Sequence, residues 1–181
     1  MSDLYMPIEE RRKVILDYAQ RYNIRTFVET GTADGSTTAA MVPYFDELYT
    51  IEIDEGMYNH ARLIFENASK VHCILGDSGH HLPWVMATIT DPILFWLDGH
   101  YCGGPTRGSL DSPVQSELQT AIKAPKGSVI LIDDARIFGG GPEEGLEGYT
   151  GYPDLSWVKA VAIQYGFQYH LEDDIIRLTP V

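Results

Sequence analysis

The sequence predicts an α/β fold of three layers, in which helices cover both faces of a doubly wound, mostly parallel sheet of seven strands. Five short runs rich in β-branched and aromatic residues alternate with stretches of helical periodicity, which is typical of βαβ units. Each run is nearly continuous in apolar residues, as strands buried on both faces are. Two further runs end the chain, and their link is too short for a parallel crossover, which predicts an antiparallel hairpin. In chain order the runs are RTFVET, LYTIEID, VHCILGD, ILFWLDG, SVILIDD, FQYHLE and IIRLTPV.

Apolar residues at helical spacing predict the covering helices. Pro7 opens one helix before the first strand, and Ser112 as N-cap with Pro113 at the first position opens another after the fourth strand. A last helix runs from about residue 154 to 165 and ends at Gly166. Three apolar faces are expected to pack on the sheet: Ile8, Ile15, Tyr18 and Tyr22; Met57, Ala61, Ile64 and Ala68; and Val114, Leu118, Ala121 and Ile122. This alternation is Rossmann-like.

Length and composition favour a single domain, residues 1–181, with an N-terminal helix in 1–23 and the sheet with its loops in 24–181. The 26 acidic residues exceed the 13 Lys and Arg, and a net charge of −13 would repel nucleic acid and anionic lipid. No apolar run has the length of a signal peptide or a membrane span, so we expect a cytoplasmic protein with neither nucleic acid nor membrane as partner. Cys73 and Cys102 form no disulfide pattern.

The stretch FVETGTADGSTT follows the first predicted strand, where doubly wound sheets bind their ligands. Gly31 and Gly35 allow a sharp turn and a close approach of backbone to ligand, and Ser36 begins a helix whose N–H groups face the same place. Glu29 would repel a pyrophosphate but attract an ammonium or sulfonium group. The alternative interpretation is a helix-capping turn with a surface acid.

Acidic residues also end the second and third strands. Glu52 lies roughly 20 residues after the glycine turn, the position from which an acid binds ribose hydroxyls in nucleoside-binding folds. Asp54 is the weaker candidate, since it suits a helix cap. Asp77 and Ser78 after the third strand could accept hydrogen bonds from an adenine amino group, although a turn with a capping Asp explains them equally well.

With these residues the sequence, from about Thr26 to the end, resembles the class I S-adenosylmethionine-dependent methyltransferases. That family has an E-x-G-x-G-x-G turn, and here the turn reads ETGTADG, with Ala33 at the middle glycine. In the family the last strand inserts antiparallel between the two before it. The resemblance implies S-adenosylmethionine as cofactor. It also implies these cofactor-binding residues: Glu29, Thr30, Gly31, Thr32, Gly35, Ser36, Glu52, Asp77, Ser78 and Asp98.

Asp98 ends the fourth strand, and Asp133 and Asp134 end the fifth. Neighbouring strands lie about 4.8 Å apart, so these carboxylates should converge, and either protonation or a cation must relieve their repulsion. Oxygen ligands suit Mg²⁺, with Ca²⁺ or Mn²⁺ as alternatives. A plain turn at Asp98 and a helix cap at Asp134 would need no metal. The pattern is similar to that of metal-dependent O-methyltransferases of catechols, macrolides and sugars, which implies Mg²⁺ on all three aspartates.

A methyl transfer of this kind needs a positioned acceptor and a base. Asp98 and His100 are the predicted catalytic residues, His100 as proton acceptor, although it suits an ordinary loop histidine as well. Two Gly-rich loops after the fourth and fifth strands offer acceptor contacts from Tyr101, Arg107, Arg136, Phe138, Tyr149 and Tyr152.

The predicted function is S-adenosylmethionine-dependent, metal-assisted O-methylation of a hydroxylated small molecule, such as a sugar or natural-product intermediate. No separate substrate domain is present, so either the acceptor is small or a homodimer completes the pocket. A nucleotide-dependent oxidoreductase or epimerase, and a non-catalytic cofactor-binding module, are the alternatives. Glu29, the missing G-x-G-x-x-G and the terminal hairpin argue against the oxidoreductase.

Overall fold

The computed structural model describes residues 7–100, 112–139 and 151–181 and contains the predicted seven-stranded sheet. The strand order is β3-β2-β1-β4-β5-β7-β6; β1 to β5 are parallel, and β7 runs antiparallel to both β5 and β6. The strands are β1 Thr26–Thr30, β2 Glu47–Glu52, β3 Val71–Leu75, β4 Ile93–Leu97, β5 Val129–Ile132, β6 Phe167–Glu172 and β7 Ile175–Pro180. The predicted fold class, including the inserted last strand, is therefore confirmed.

Helices pack on both faces of this sheet and form two apolar clusters with it. Their bounds are α1 Ile8–Tyr22, α2 Ser36–Met41, α3 Glu55–Ile64, α4 Ser78–Met86, α5 Val114–Ala121 and α6 Leu155–Gln164. Strands β1, β4 and β5 are buried along their whole length, as their continuous apolar runs predict. The prediction is wrong for β3, which is only partly buried, because it is an edge strand.

The predicted apolar face of α5 is confirmed, since Val114, Leu118, Ala121 and Ile122 are all buried. The helix begins one residue later than predicted, with Pro113 as its N-cap in place of Ser112, and the hydroxyl of Ser112 accepts a hydrogen bond from the Val114 N–H at 3.2 Å. For α1 the burial of Ile15 and Tyr18 agrees with the prediction, whereas Ile8 at the helix start is exposed.

The predicted face of α3 is wrong. Met57 and Ile64 are exposed, and Ala61 is the buried residue of the helix. The cause is the position of α3, which connects β2 to the edge strand β3. A helix over the edge of a sheet covers little of it, so only its innermost side chain reaches the core.

The C-terminal hairpin has a two-residue link, Asp173 and Asp174, and both have positive φ, as a type I′ turn requires. The link lets β7 lie between β5 and β6.

Within the described residues, no helix is both long and apolar enough to cross a membrane. The cytoplasmic location, the single-domain boundaries, the homodimer and the absence of nucleic-acid partners stay predictions. Cys102, Tyr101, Arg107 and Tyr149 lie outside the described residues.

Candidate active site

The strand order reverses between β1 and β4, and the glycine turn lies at this point. The Gly31 N–H donates to the Ile51 carbonyl of β2 at 3.0 Å, while a Cβ on Gly31 would overlap the carbonyl group of Asp98, the residue after β4. Gly31 also has φ +81°, which favours glycine. The turn thus needs glycine at position 31 because its backbone packs between the ends of two strands.

The Glu29 carboxyl group lies beneath this turn, buried at 1% exposure. It accepts hydrogen bonds from the hydroxyls of Thr38 and Thr50. Its pKa is raised to about 8, mainly by burial; Asp98 and Glu52 add to the shift, and the two hydroxyls oppose it. The alternative prediction, that Glu29 is a surface acid, is therefore wrong. A role of Glu29 toward a positively charged ligand stays a prediction.

We expect Glu29→Gln to stabilise the protein at alkaline pH. The carboxyl's ordinary pKa is 4.5 and its folded pKa is about 8, so between these values the folded state holds a proton that the unfolded chain releases. This contribution to the free energy of unfolding is present in full below pH 4.5 and is lost as the pH rises through 8. An amide has no such dependence. Urea unfolding should therefore give a gain over wild type that is small at pH 5 and on the order of 2 kcal/mol at pH 9.

The control for the change in net charge is Glu66→Gln, because Glu66 is exposed. A gain for Glu29→Gln that is the same at every pH would contradict the burial of a protonated carboxyl group.

Glu52 holds the glycine turn from the side of β2. Its two oxygens accept hydrogen bonds from the backbone N–H groups of Ala33 at 2.8 Å and Asp54 at 2.9 Å. Ala33 has φ +49°, an uncommon conformation for a residue with a Cβ, and the Thr32 hydroxyl bonds that of Thr50 at 2.6 Å. Binding of ribose by Glu52 stays a prediction. Ser36 begins α2, and its N–H donates to Asp34.

The two predicted site residues after the third strand, Asp77 and Ser78, lie at the start of α4. Asp77 accepts from the Gly79 N–H at 2.9 Å, so it is the capping residue that the alternative interpretation expects. Asp54 caps α3 in the same way through the Met57 N–H. The Ser78 hydroxyl instead donates to Glu117 of α5 at 2.5 Å.

Asp98, His100 and Asp134 come together at the ends of β4 and β5. The His100 Nδ1 lies 3.2 Å from Asp98 Oδ1 and 3.3 Å from Asp134 Oδ2. One ligand atom from each of the three residues lies within 4.8 Å of the others. The sequence predicts the convergence of Asp98 and Asp134, because both follow neighbouring strands. It predicts His100 as a proton acceptor and not as a member of a metal-binding group. Asp134 precedes a short 3₁₀ helix, Ala135–Ile137, but its side chain makes no capping hydrogen bond.

Asp133 lies beside that group, where it forms an ion pair with Arg11 of α1, and Arg11 also lies 3.8 Å from Asp134 Oδ1. Burial raises the Asp133 pKa to about 8; Asp98 and Asp134 add to the shift, and Arg11 opposes it. Asp134 pairs with Arg136 at 2.6 Å, and Arg136 also pairs with Asp174. The sequence interpretation missed Arg11 and Glu117, and only Glu117 had a signal, as an acid within a predicted apolar helix face.

A small cleft of about 180 Å³, including its open side, is lined by Asp98 and His100 of this cluster. Tyr152 lines it and packs edge-on against Phe138 with 5.3 Å between the ring centroids. The cleft is smaller than a usual ligand site. It is lined by Leu97, Asp98, Gly99, His100, Ser112, Val114, Ile132, Asp133 and Tyr152.

Several solved structures with this fold are described as methyltransferases, although their sequences differ widely from this one. A Staphylococcus aureus protein described as a candidate caffeoyl-CoA O-methyltransferase has a TM-score of 0.68 and 13% identity, over 97% of this chain and 86% of its own. The O-methyltransferase TomG of Streptomyces achromogenes, involved in tomaymycin synthesis and solved with S-adenosylmethionine, has a TM-score of 0.61 and 16% identity, over 100% and 84%. The N-methyltransferase NodS of Bradyrhizobium japonicum, solved with S-adenosylhomocysteine, has a TM-score of 0.61 and 13% identity, over 95% of this chain and 86% of its own.

No protein-family model matches the sequence, and no curated protein matches it either. The structural likeness extends over nearly the whole chain. The protein therefore has the fold of the class I methyltransferases. Because that fold occurs in both O- and N-methyltransferases, it does not decide which atom is methylated.

Proposed function

We propose that this protein is an S-adenosylmethionine-dependent O-methyltransferase of a hydroxylated small molecule, such as a sugar or natural-product intermediate. The observation that carries the proposal is the Gly31 turn at the strand-order reversal, with the carboxyl groups of Glu29 and Glu52 directly behind it. A bare backbone in front of Glu52, with Glu29 beneath it, suits the cationic methionine end of this cofactor, because a cation bound there would favour the charged form of Glu29, whereas a pyrophosphate would oppose it.

The reaction is a direct displacement. The acceptor oxygen bonds to the methyl carbon as the carbon–sulfur bond breaks, and the bonding electron pair stays on sulfur in S-adenosylhomocysteine. No enzyme-bound intermediate is required, so the chain mainly orients the two reactants. The hydroxyl proton goes to a base. His100 suits this role, because a neutral ring that donates from Nδ1 to Asp98 or Asp134 accepts protons at Nε2.

The same three side chains fit a divalent cation, since two carboxylates and one imidazole offer converging ligand atoms. We assign Asp98, His100 and Asp134 as its ligands, in place of Asp133, which is not a member of the converging group. An imidazole in the set favours Mn²⁺ or another first-row ion over Mg²⁺. When bound, the ion would lower the pKa of the acceptor hydroxyl and orient it. His100 is then a ligand and not the base, so its two roles are alternatives.

Metal titration distinguishes these two roles of His100. We expect Mn²⁺ to bind wild-type protein in calorimetry, and His100→Asn to weaken binding about tenfold or more, because one of three ligands is lost. His80→Asn is the matched control, since His80 is exposed and lies outside the cluster. Equal Mn²⁺ binding by both variants, or none by wild type, would overturn the metal assignment and leave His100 as the base.

Calorimetric titration with S-adenosylhomocysteine, with and without Mn²⁺, tests the proposed function itself. We expect micromolar binding in both conditions, because the turn lies outside the metal group and Asp98 is the one predicted cofactor-binding residue within it. NAD⁺ is the comparison ligand. Binding of NAD⁺ without binding of S-adenosylhomocysteine would overturn the proposal in favour of an oxidoreductase.

A further inference from the structure

Glu117 is a carboxyl group in the buried face of α5, next to Leu118 and one turn from Val114 and Ala121. Its side chain has no exposed surface, and no cation among the described residues pairs with it. Its hydrogen-bonding neighbours are the hydroxyls of Ser78 and Thr30. Burial raises the Glu117 pKa to about 7. An apolar residue at this position would avoid the desolvation of a carboxyl group, so the acid calls for a role beyond packing.

One oxygen of Glu117 lies where the start of α4 meets the loop after β4. Oε1 accepts from the Ser78 hydroxyl at 2.5 Å. A Cβ on Gly99 would lie 3.0 Å from this oxygen and 3.3 Å from the Ser78 hydroxyl oxygen, so the three residues pack closely. Glu117 therefore fixes the orientation of the Ser78 hydroxyl from below.

The direction of that hydrogen bond limits what Ser78 offers to a ligand. A hydroxyl has one proton and two lone pairs, and Glu117 takes the proton. Ser78 is left with lone pairs only, so it accepts from an amino group but cannot donate to a carbonyl oxygen. Adenine has an amino group at its 6 position, and hypoxanthine has a carbonyl there.

We propose that Glu117 is a positioning residue that sets the nucleobase preference of the cofactor site, by holding the Ser78 hydroxyl as an acceptor for the adenine amino group. The inference rests on the proposed function, because it requires a nucleoside ligand beside Ser78. It adds a specificity-determining residue that touches no ligand itself.

The test compares S-adenosylhomocysteine with S-inosylhomocysteine by calorimetry. Wild-type protein should bind the adenine compound at least tenfold more tightly, because the carbonyl of hypoxanthine meets only lone pairs. Glu117→Ala releases the Ser78 proton to rotate toward the ligand, so the preference should fall to within about threefold. Glu117→Gln should retain it, since the amide oxygen still accepts from Ser78. Ser78→Ala should lose the preference for the adenine compound as Glu117→Ala does. The double variant should show the same preference as either single variant.

Leu118→Ala is the control for stability, because it removes a buried side chain from the same helix without touching Ser78. It should lower the Tm and leave the nucleobase preference unchanged. A wild-type preference that Glu117→Ala leaves intact overturns the inference, as does wild-type binding of both compounds with equal affinity. If wild type binds neither compound, the proposed function fails, and the inference fails with it.

Discussion

Gly31→Ala is expected to abolish S-adenosylhomocysteine binding and to lower the free energy of unfolding by about 3 kcal/mol. Two costs add at this position. A left-handed conformation costs a residue with a Cβ roughly 1–2 kcal/mol, and Gly31 has φ +81°. The new Cβ would also overlap the Asp98 carbonyl group, and forcing an extra carbon into a packed place costs about 1–3 kcal/mol. Relief of the overlap must move β1 away from β4, which displaces the turn from the ends of both strands.

Gly166→Ala separates these two costs. Gly166 has nearly the same φ, +80°, but a Cβ there would meet nothing within 4 Å. The variant should therefore lose about 1–2 kcal/mol from its conformation alone and bind S-adenosylhomocysteine as wild type does. Urea unfolding and calorimetry on both variants give the comparison. An equal loss of stability in the two, with binding intact in Gly31→Ala, would show that the close approach of Gly31 to Asp98 has no part in the site.

The fold could be predicted because its signals are local. Continuous apolar runs indicate buried parallel strands. The two-residue link at Asp173 and Asp174 is too short for a parallel connection, so the strands it joins must be antiparallel. What periodicity could not predict is which strand lies at the edge. Strand order follows from contacts between distant segments, and for this reason the exposure of Met57 and Ile64 on α3 was missed.

The site was predictable to the level of strand ends and no further. Residues that end parallel strands meet at one edge of the sheet, which brings Asp98 and Asp134 together. The direction of each side chain depends on partners from elsewhere in the chain. Arg11 of α1 pairs closely with Asp133 and lies 3.8 Å from Asp134, and nothing in the charged run EERRK distinguishes Arg11 from Arg12. Arg12 instead donates to the Ser36 carbonyl.

Arg11→Ala is expected to lower the free energy of unfolding by about 3 kcal/mol at pH 10, where an Asp133 carboxyl with a pKa of about 8 is ionised, and this is the second large effect. The Asp133 side chain is 1% exposed and forms an ion pair with Arg11, whose own side chain is 13% exposed. Removal of one partner leaves a buried charge uncompensated, which typically costs about 3–5 kcal/mol. The hydrogen bond from the Asp134 N–H to Asp133 remains and does not replace a cation. The loss should be smaller at pH 5, because a protonated Asp133 needs no opposite charge.

Arg21→Ala is the matched control on the same helix, because it breaks the pair with Asp17, in which both side chains are 57% exposed. Exposed pairs contribute about 1 kcal/mol or less, so urea unfolding should separate the two variants clearly. Similar small losses in both would mean that Asp133 is neutral in the wild-type protein and that Arg11 packs without charge pairing. A large loss of stability in Arg11→Ala alone would instead show that α1 stabilises the acidic residues at the end of β5. The N-terminal helix would then be part of the site.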